Sequence, residues 1–180
     1  PDATFSATNV DYRLDSGSNL GTGTSLQDFL EGDATTLSGD PGDTARGIIR
    51  MSGFMILDAG DYDFQVTADD GYSVRINGVE VIAFDGNQAA TTQTVNNAVT
   101  IGASGAQQIE IIYWDNGGGA ELNVEFRENG GGAFQTLASD VAVNGGTESN
   151  DFISGGDGND IYAGGGGADI IQGDAGNDIL

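Results

Sequence analysis

The side chains able to do chemistry in this sequence are almost all carboxylates. The 180 residues include 21 Asp, seven Glu and five Arg, with no Lys, His or Cys, and the formal net charge at pH 7 is −23. Without His and Cys there is no Ser-His-Asp or Cys-His nucleophile and no ordinary zinc or copper site. Nucleic acid is an unsuitable partner, because phosphate contacts need cations. The remaining metal ligands are oxygen donors, which suit a hard cation such as calcium.

Four aspartates recur every nine residues towards the C-terminal end: Asp151, Asp160, Asp169 and Asp178. An apolar residue follows each of them at the second position, and residues 144–180 include 11 Gly. Six Gly-rich residues can turn tightly and three can form a short strand, so two repeats make one coil. Carboxylates stacked at strand spacing repel one another unless a cation lies between them. A flexible Gly/Asp linker is the alternative, and the fixed period argues against it.

These units resemble the calcium-binding nonapeptide repeats of the repeats-in-toxin (RTX) family, G-G-x-G-x-D-x-U-x, which form a parallel β-roll. The resemblance implies that carboxylates and carbonyls of the turns hold several Ca²⁺ ions. The first repeat is degenerate and the fourth lacks its last residue, so we expect some sites to be incomplete. The expected ligands are Asp151, Asp157, Asp160, Asp169 and Asp178.

The preceding residues show the two-residue period of β-strands. Asn77-Gly78 between two such runs predicts a tight hairpin turn. Residues 47–57 are predicted to be a buried pair of strands, and one short helix is expected from Thr24 or Ser25. Asp61 and Asp63 are predicted to be solvated acids on an outward face. Further strands are predicted at 62–68, 72–76, 79–84, 109–113 and 122–126. The predicted fold is all-β, an antiparallel sandwich or barrel followed by the start of the parallel β-roll.

Two predicted loops carry oxygen donors. One is Asp69-Asp70-Gly71, and the other is Trp114-Asp115-Asn116 followed by residues 117–120, Gly-Gly-Gly-Ala. With their flanking strands, these segments resemble the PA-14 (protective-antigen-type) β-domain over roughly residues 5–140. Lectin members of that family carry an acidic pair after one strand and an amide-plus-glycine loop after a later one. The resemblance therefore implies an antiparallel β-domain that binds carbohydrate.

The resemblance also implies a set of ligands for one Ca²⁺. Asp69 and Asp70 would be joined by a cis peptide bond and would both bind the ion. Asn116 would supply an amide oxygen, and the loop after it would supply carbonyl oxygens. Two neighbouring hydroxyls of a sugar would fill the open positions. The predicted ligand-binding residues are Asp69, Asp70, Asn116, Gly117 and Gly118, with Ala120 as a further metal ligand.

Several alternatives stay open on the sequence alone. Asp69-Asp70 could be a solvated turn. Asp115 could be a ligand, an acceptor that supports a ligand, or a surface acid. Trp114 could pack against the domain or could be a platform for the apolar face of a sugar. The family resemblance places Asp85 and residues 86–88 near the sugar.

We therefore expect a calcium-dependent carbohydrate-binding module at residues 1–143 and a truncated calcium-binding β-roll at residues 144–180. The pairing resembles large bacterial RTX surface adhesins, which implies a secreted, cell-surface protein of which this chain is a piece. The expected partners are cell-surface glycans, polysaccharides or simple hexoses. No catalysis and no nucleic-acid binding are expected. No membrane insertion is expected either, since no run of 18 apolar residues occurs. The alternatives are a structural or protein-binding β-domain, or a non-catalytic accessory domain of a glycosidase.

Overall fold

The computed structural model describes residues 3–14, 20, 25–39, 46–137, 143–145, 152–154, 161–163, 168 and 170–172. Its helices are α1 (Ser25–Leu30) and a 3₁₀ helix (Glu31–Thr36). Its first strands are β1 (Ala3–Thr4), β2 (Asp11–Leu14), β3 (Ser38–Gly39), β4 (Gly47–Leu57), β5 (Gly60–Asp69), β6 (Gly71–Ile76) and β7 (Val79–Phe84). The later strands are β8 (Thr91–Ile101), β9 (Gly105–Asp115), β10 (Ala120–Glu128), β11 (Gln135–Thr136), β12 (Val143–Gly145), β13 (Phe152–Ser154), β14 (Ile161–Ala163) and β15 (Ile170–Gln172).

Two antiparallel sheets share one hydrophobic core. One has four strands in the order β4-β9-β6-β7, and the other has five, in the order β11-β10-β5-β8 with β2 also paired to β10. Alternate side chains of each sheet point into the same cluster, as the two-residue period of a strand requires. Its largest fully buried members include Tyr72, Tyr113, Phe29, Phe64 and Ile76. The predicted all-β fold is confirmed.

The predicted helix and hairpin are both present. α1 buries Phe29 and Leu30, and the ring of Phe29 stacks on Tyr113 with 5.6 Å between centroids. β6 and β7 are joined by Asn77-Gly78, whose φ angles of 50° and 79° match the two-residue turn that this dipeptide favours. The turn places Ile76 opposite Val79 at the joined end of these two strands.

The prediction of a buried strand pair at residues 47–57 is wrong. These residues form the single strand β4, which pairs with β9 over its whole length and lies at the edge of the four-stranded sheet. Met51 and Met55 face the core, whereas Ile48 and Phe54 are 79 % and 59 % exposed. Apolar residues on both faces concealed the alternation of a single edge strand.

The prediction that Asp63 is solvated is also wrong, since this residue is 1 % exposed. Its carboxylate accepts hydrogen bonds from the Asn129 amide at 2.8 Å, the Asn97 main-chain N–H at 2.9 Å and Arg127 Nε at 2.9 Å. These bonds, led by that from Asn129, hold the pKa of Asp63 below its usual range. The register of β5 against β8 shifts at this point, and such a bulge breaks the inward-outward alternation.

The described parts of the repeats form parallel strand pairs. β12 pairs with β14 so that Val143 faces Ile161, and β13 pairs with β15 so that Phe152 faces Ile170. Both offsets are 18 residues, which confirms that strands two nonapeptides apart pair in parallel; the turns of the predicted coil lie outside the described residues.

Candidate metal site

Three carboxylates converge where strands of the two sheets end. Asp69 ends β5, Asp70 lies between β5 and β6, and Asp115 ends β9. β6 pairs with β9 so that Gly71 faces Trp114, which places Asp70 beside Asp115. One oxygen of each carboxylate lies within 4.8 Å of the corresponding oxygens of the other two. The pairing of distant strands therefore joins two sequence motifs that are more than 40 residues apart.

The link between the two adjacent acids is held from two sides. The peptide bond between Asp69 and Asp70 is cis, as the family resemblance implies. The hydroxyl of Tyr113 donates a hydrogen bond to the carbonyl oxygen of Asp69. Gln88, in the loop from β7 to β8, donates from its side-chain amide to the carbonyl oxygens of Ala68 and Asp70, both at 3.1 Å. A tyrosine of the core and a neighbouring loop thus position this short segment.

The carboxylate of Asp70 is fixed by main-chain donors. Its Oδ1 accepts a hydrogen bond from the N–H of Gln88 at 2.9 Å, and its Oδ2 accepts one from the N–H of Asn116 at 2.8 Å. Asp70 is only 5 % exposed, so these bonds replace most of the water that the charged group would otherwise bind. One side chain therefore ties the β7–β8 loop to the β9–β10 loop.

Asp115 is a buried acceptor, so the interpretation of it as a surface acid is wrong. It is 2 % exposed. Its Oδ1 accepts a hydrogen bond from the N–H of Gly117 at 2.8 Å, and its Oδ2 accepts one from the N–H of Leu20 at 3.3 Å. These bonds anchor the start of the β9–β10 loop and bring residue 20 against the acidic cluster.

The electrostatics of the cluster favour a bound cation. Burial, followed by the charges of Asp70 and Asp115, raises the pKa of Asp69. Burial also raises the pKa of Asp115, although the N–H of Gly117 acts in the opposite direction. A divalent ion would relieve both effects, because it attracts all three carboxylates and replaces lost hydration with direct coordination. A set made only of oxygen donors fits Ca²⁺.

Glycines shape the loop that closes over the acids. Gly117 and Gly118 have φ angles of 114° and 108°, which L-residues with side chains rarely adopt. A Cβ placed on Gly119 would lie 3.8 Å from Oδ2 of Asp69, so the backbone of this residue runs close to the cluster. The positive φ angles of Gly117 and Gly118 therefore let the loop bring its peptide groups to the acids.

The structure brings most of the predicted ligands in this domain together. Asp69 and Asp70 lie in the cluster, and the N–H groups of Asn116 and Gly117 point at carboxylates of the cluster. Ala120 begins β10 and pairs with Leu14 at the same end of the sheet. Coordination by Asn116, Gly117, Gly118 and Ala120 stays a prediction. The predicted repeat ligands Asp151, Asp157, Asp160, Asp169 and Asp178 lie outside the described residues.

The sequence did not predict the contacts that three residues make with the acidic cluster. The sequence predicted Tyr113 only as part of the strand at 109–113. The hydroxyl of a buried tyrosine needs a hydrogen-bond partner, and that requirement was an available signal. Gln88 was placed near the sugar but not against Asp70. Leu20 contacts Asp115 through its main-chain N–H, which no side-chain pattern could reveal.

Sheet architecture and site together define an antiparallel β-sandwich with an acidic, glycine-bounded cluster at one end. The chain belongs to the PA14 family, since the PA14 domain model matches residues 31–138. The model of the RTX calcium-binding nonapeptide repeat matches residues 146–171 and 154–180.

Two solved structures are similar over most of the chain. The PA14 domain of the MpAFP antifreeze protein is 45 % identical with a TM-score of 0.71, and the match covers 77 % of this chain and 72 % of that one. The PA14 sugar-binding domain from an RTX adhesin is 41 % identical with a TM-score of 0.65, and the match covers 77 % of this chain and 76 % of that one. A search of curated proteins found no match. Within the described ranges, no helix is long and apolar enough to cross a membrane.

Proposed function

We propose that this chain is a calcium-dependent carbohydrate-binding module of a secreted bacterial adhesin. The observation that carries the proposal is the convergence of Asp69, Asp70 and Asp115 in a PA14 domain. It is supported by the 41 % identity to a domain described as sugar-binding and taken from an RTX adhesin. The proposed division into a sugar-binding domain (1–143) and a β-roll (144–180) is supported by the two family matches, at 31–138 and 146–180.

Asp69 and Asp70 are the proposed charged ligands of the ion. Asn116 and the carbonyl groups of Gly117, Gly118 and Ala120 complete its protein ligands. A calcium ion held there would supply open coordination positions for two neighbouring hydroxyls of a sugar. The chain's own contribution is to hold the carboxylates in place before the ion arrives, through the main-chain donors that fix Asp70.

Binding explains this geometry better than catalysis does. A glycosidase needs two carboxyl groups roughly 5 to 9 Å apart across the bond to be cleaved, with one of them free to transfer a proton. Here the three carboxylate oxygens lie within 4.8 Å of one another, and Asp70 is held on both oxygens by N–H donors. The arrangement suits a shared cation better than an acid-base pair on opposite sides of a bond.

The repeats are proposed to bind further Ca²⁺ through Asp151, Asp157, Asp160, Asp169 and Asp178. A chain with a net charge of −23 repels itself until cations neutralise it, so folding would follow arrival in calcium-rich medium outside the cell. This link between calcium and folding agrees with the proposed secretion and surface location.

Titration of the protein with glucose, mannose, galactose and fructose tests the proposal, with millimolar calcium and then with excess EDTA. Isothermal calorimetry should show binding of at least one hexose only when calcium is present. Asp70→Ala should weaken calcium binding by about 100-fold or more, because few charges hold a hard cation in such a site. Hexose binding should disappear with it.

Asp61→Ala is the matched control, since it removes one exposed acid from the same strand, far from the cluster. It should leave both affinities unchanged. The proposal is falsified if hexose binding persists under chelation or in Asp70→Ala.

A further inference from the structure

We infer that Trp114 forms a second sugar-contacting surface, a platform for the pyranose ring next to the one held at the cation site. The ligand class is therefore an oligosaccharide of two or more rings. This inference rests on the proposed function, because it extends the same site.

Trp114 lies on the outer face of the four-stranded sheet. In β9 it stands between Tyr113 and Asp115, both of which point into the buried side, and it is itself only partly buried. Ile48 of β4 lies opposite it on one side, and Gly71 of β6 lies opposite it on the other. These three residues form one row across three strands, which we call the platform row.

The platform row is continuous with the acidic cluster. Gly71 directly follows Asp70, and Trp114 directly precedes Asp115, so each is one Cα step, about 3.8 Å, from a member of the cluster. Asp115 and Trp114 point to opposite faces of β9, but the cluster lies at the ends of β5 and β9. A glycan held through the cation site can therefore extend around these strand ends onto the row. The next row on the same face contains Ile112 and Arg50, which provide an apolar contact and a polar margin.

The indole is positioned as a flat surface because residue 71 is glycine. A Cβ placed on Gly71 would lie 2.1 Å from both Cε2 and Cζ2 of Trp114, so the ring occupies the space directly above this backbone. The indole thus packs on one side, yet part of it stays exposed. The two interpretations of Trp114 that the sequence left open are compatible.

The chemistry of this row suits a sugar ring. One face of a pyranose is lined with C–H groups and stacks on an aromatic face, while the hydroxyls point outwards. Ile48, at 79 % exposure, extends the apolar surface beyond the indole. A protein partner typically buries roughly 800 Å² on each side, contributed by about 20–30 residues. A row of three residues is far smaller than such an interface, so a glycan is a better occupant than a protein.

The chain has a single tryptophan, so its intrinsic fluorescence reports Trp114 alone. In calcium, the probes are glucose against maltose and cellobiose, and mannose against α1,2- and α1,6-mannobiose. At least one disaccharide should shift or quench the emission more than its monosaccharide does at equal saturation. EDTA should abolish the difference, because the glycan is anchored through the ion.

Affinity measurements by calorimetry on variants provide a second readout. The wild-type protein should bind that disaccharide about 3- to 10-fold more tightly than the monosaccharide, and Trp114→Ala should lose most of this ratio. Phe54→Ala is the control, since it removes another exposed aromatic from the outer face of the same sheet, six residues along β4 from Ile48. It should leave the ratio unchanged.

Two results would overturn the inference while leaving the proposed function intact. One is hexose binding in calcium with no response of the emission to any disaccharide. The other is an unchanged disaccharide-to-monosaccharide ratio in Trp114→Ala. Absence of all sugar binding in calcium would instead refute the proposed function, and this inference with it.

Discussion

Replacing Gln88 by Ala should weaken calcium binding although it removes no proposed ligand. The side-chain amide of Gln88 donates two hydrogen bonds, to the carbonyl oxygens of Ala68 and Asp70, both at 3.1 Å. The substitution removes both bonds but retains the main-chain N–H that binds Oδ1 of Asp70. It therefore perturbs the position of the acidic segment without changing the charge of the site.

The size of the effect follows from these two bonds. A neutral hydrogen bond contributes roughly 0.5–1.5 kcal/mol net, and bonds of 3.1 Å in a partly buried place belong in the lower half of that range. Losing both should lower the free energy of unfolding in EDTA by about 1–2 kcal/mol. If the ion must then order this segment itself, calcium affinity should fall by about 5- to 30-fold.

Calcium titration by calorimetry and urea unfolding in EDTA measure the two quantities separately. Gln107→Ala is the control, because the Gln107 amide also donates to two main-chain carbonyls, those of Ala103 and Gly105, at the β8–β9 turn. The Gln107 side chain accepts one further bond, from the Asn77 amide. Gln107→Ala should cause at least as large a loss of stability with no change in calcium affinity. Equal calcium affinities for Gln88→Ala and the wild-type protein would refute the view that this loop preorganises the site.

Three further changes probe other parts of the chain. Asp115→Asn keeps the size of a buried acceptor but removes one negative charge. Calcium affinity measured by calorimetry should therefore fall by about tenfold or more. An unchanged affinity would exclude a role of Asp115 at the ion. Burial raises the pKa of Asp33, but hydrogen bonds from Thr8 and Tyr12 outweigh burial and hold this pKa below its usual value. The ionised Asp33 therefore stabilises the fold at neutral pH, and this stabilisation is lost as the pH falls below about 4. The melting temperature of Asp33→Asn should therefore depend less on pH in that acidic range than that of the wild type; parallel curves would contradict this. Asp160→Ala should reduce the calcium bound by the repeats while hexose affinity stays the same. In hydrogen exchange, EDTA should increase the exchange of the repeats more than that of the sandwich. An equal increase in both would contradict two separate modules.

Local sequence signals were sufficient for much of the fold. The alternation in β5, β6, β9 and β10 follows from the two-residue period of strands, and Asn77-Gly78 specifies its own turn through positive φ angles. The nine-residue period predicted the parallel pairing of strands 18 residues apart, because identical units stack in register. Each of these features depends on neighbouring residues or on exact repetition.

The errors occur where tertiary context overrides that local pattern. Residues 47–57 carry apolar side chains on both faces, and only the packing of one face of β4 against the core decides that Ile48 and Phe54, on the opposite face, stay exposed. Asp63 has the period of an outward residue, but a bulge and three donors from other segments hold it inside.

The acidic site shows the same division between local and tertiary information. The composition by itself limits the side-chain metal ligands to oxygen donors, since the sequence has no His or Cys. The family resemblance then pointed to the acidic pair and the glycine loop as the proposed ligands. Only the tertiary structure decided that Asp115 joins Asp69 and Asp70, that Gln88 holds the pair, and that the Trp114 indole covers Gly71. The physical reason is that these contacts depend on the register between β6 and β9 and on main-chain donors of separate loops. Neither leaves a pattern in the order of the side chains.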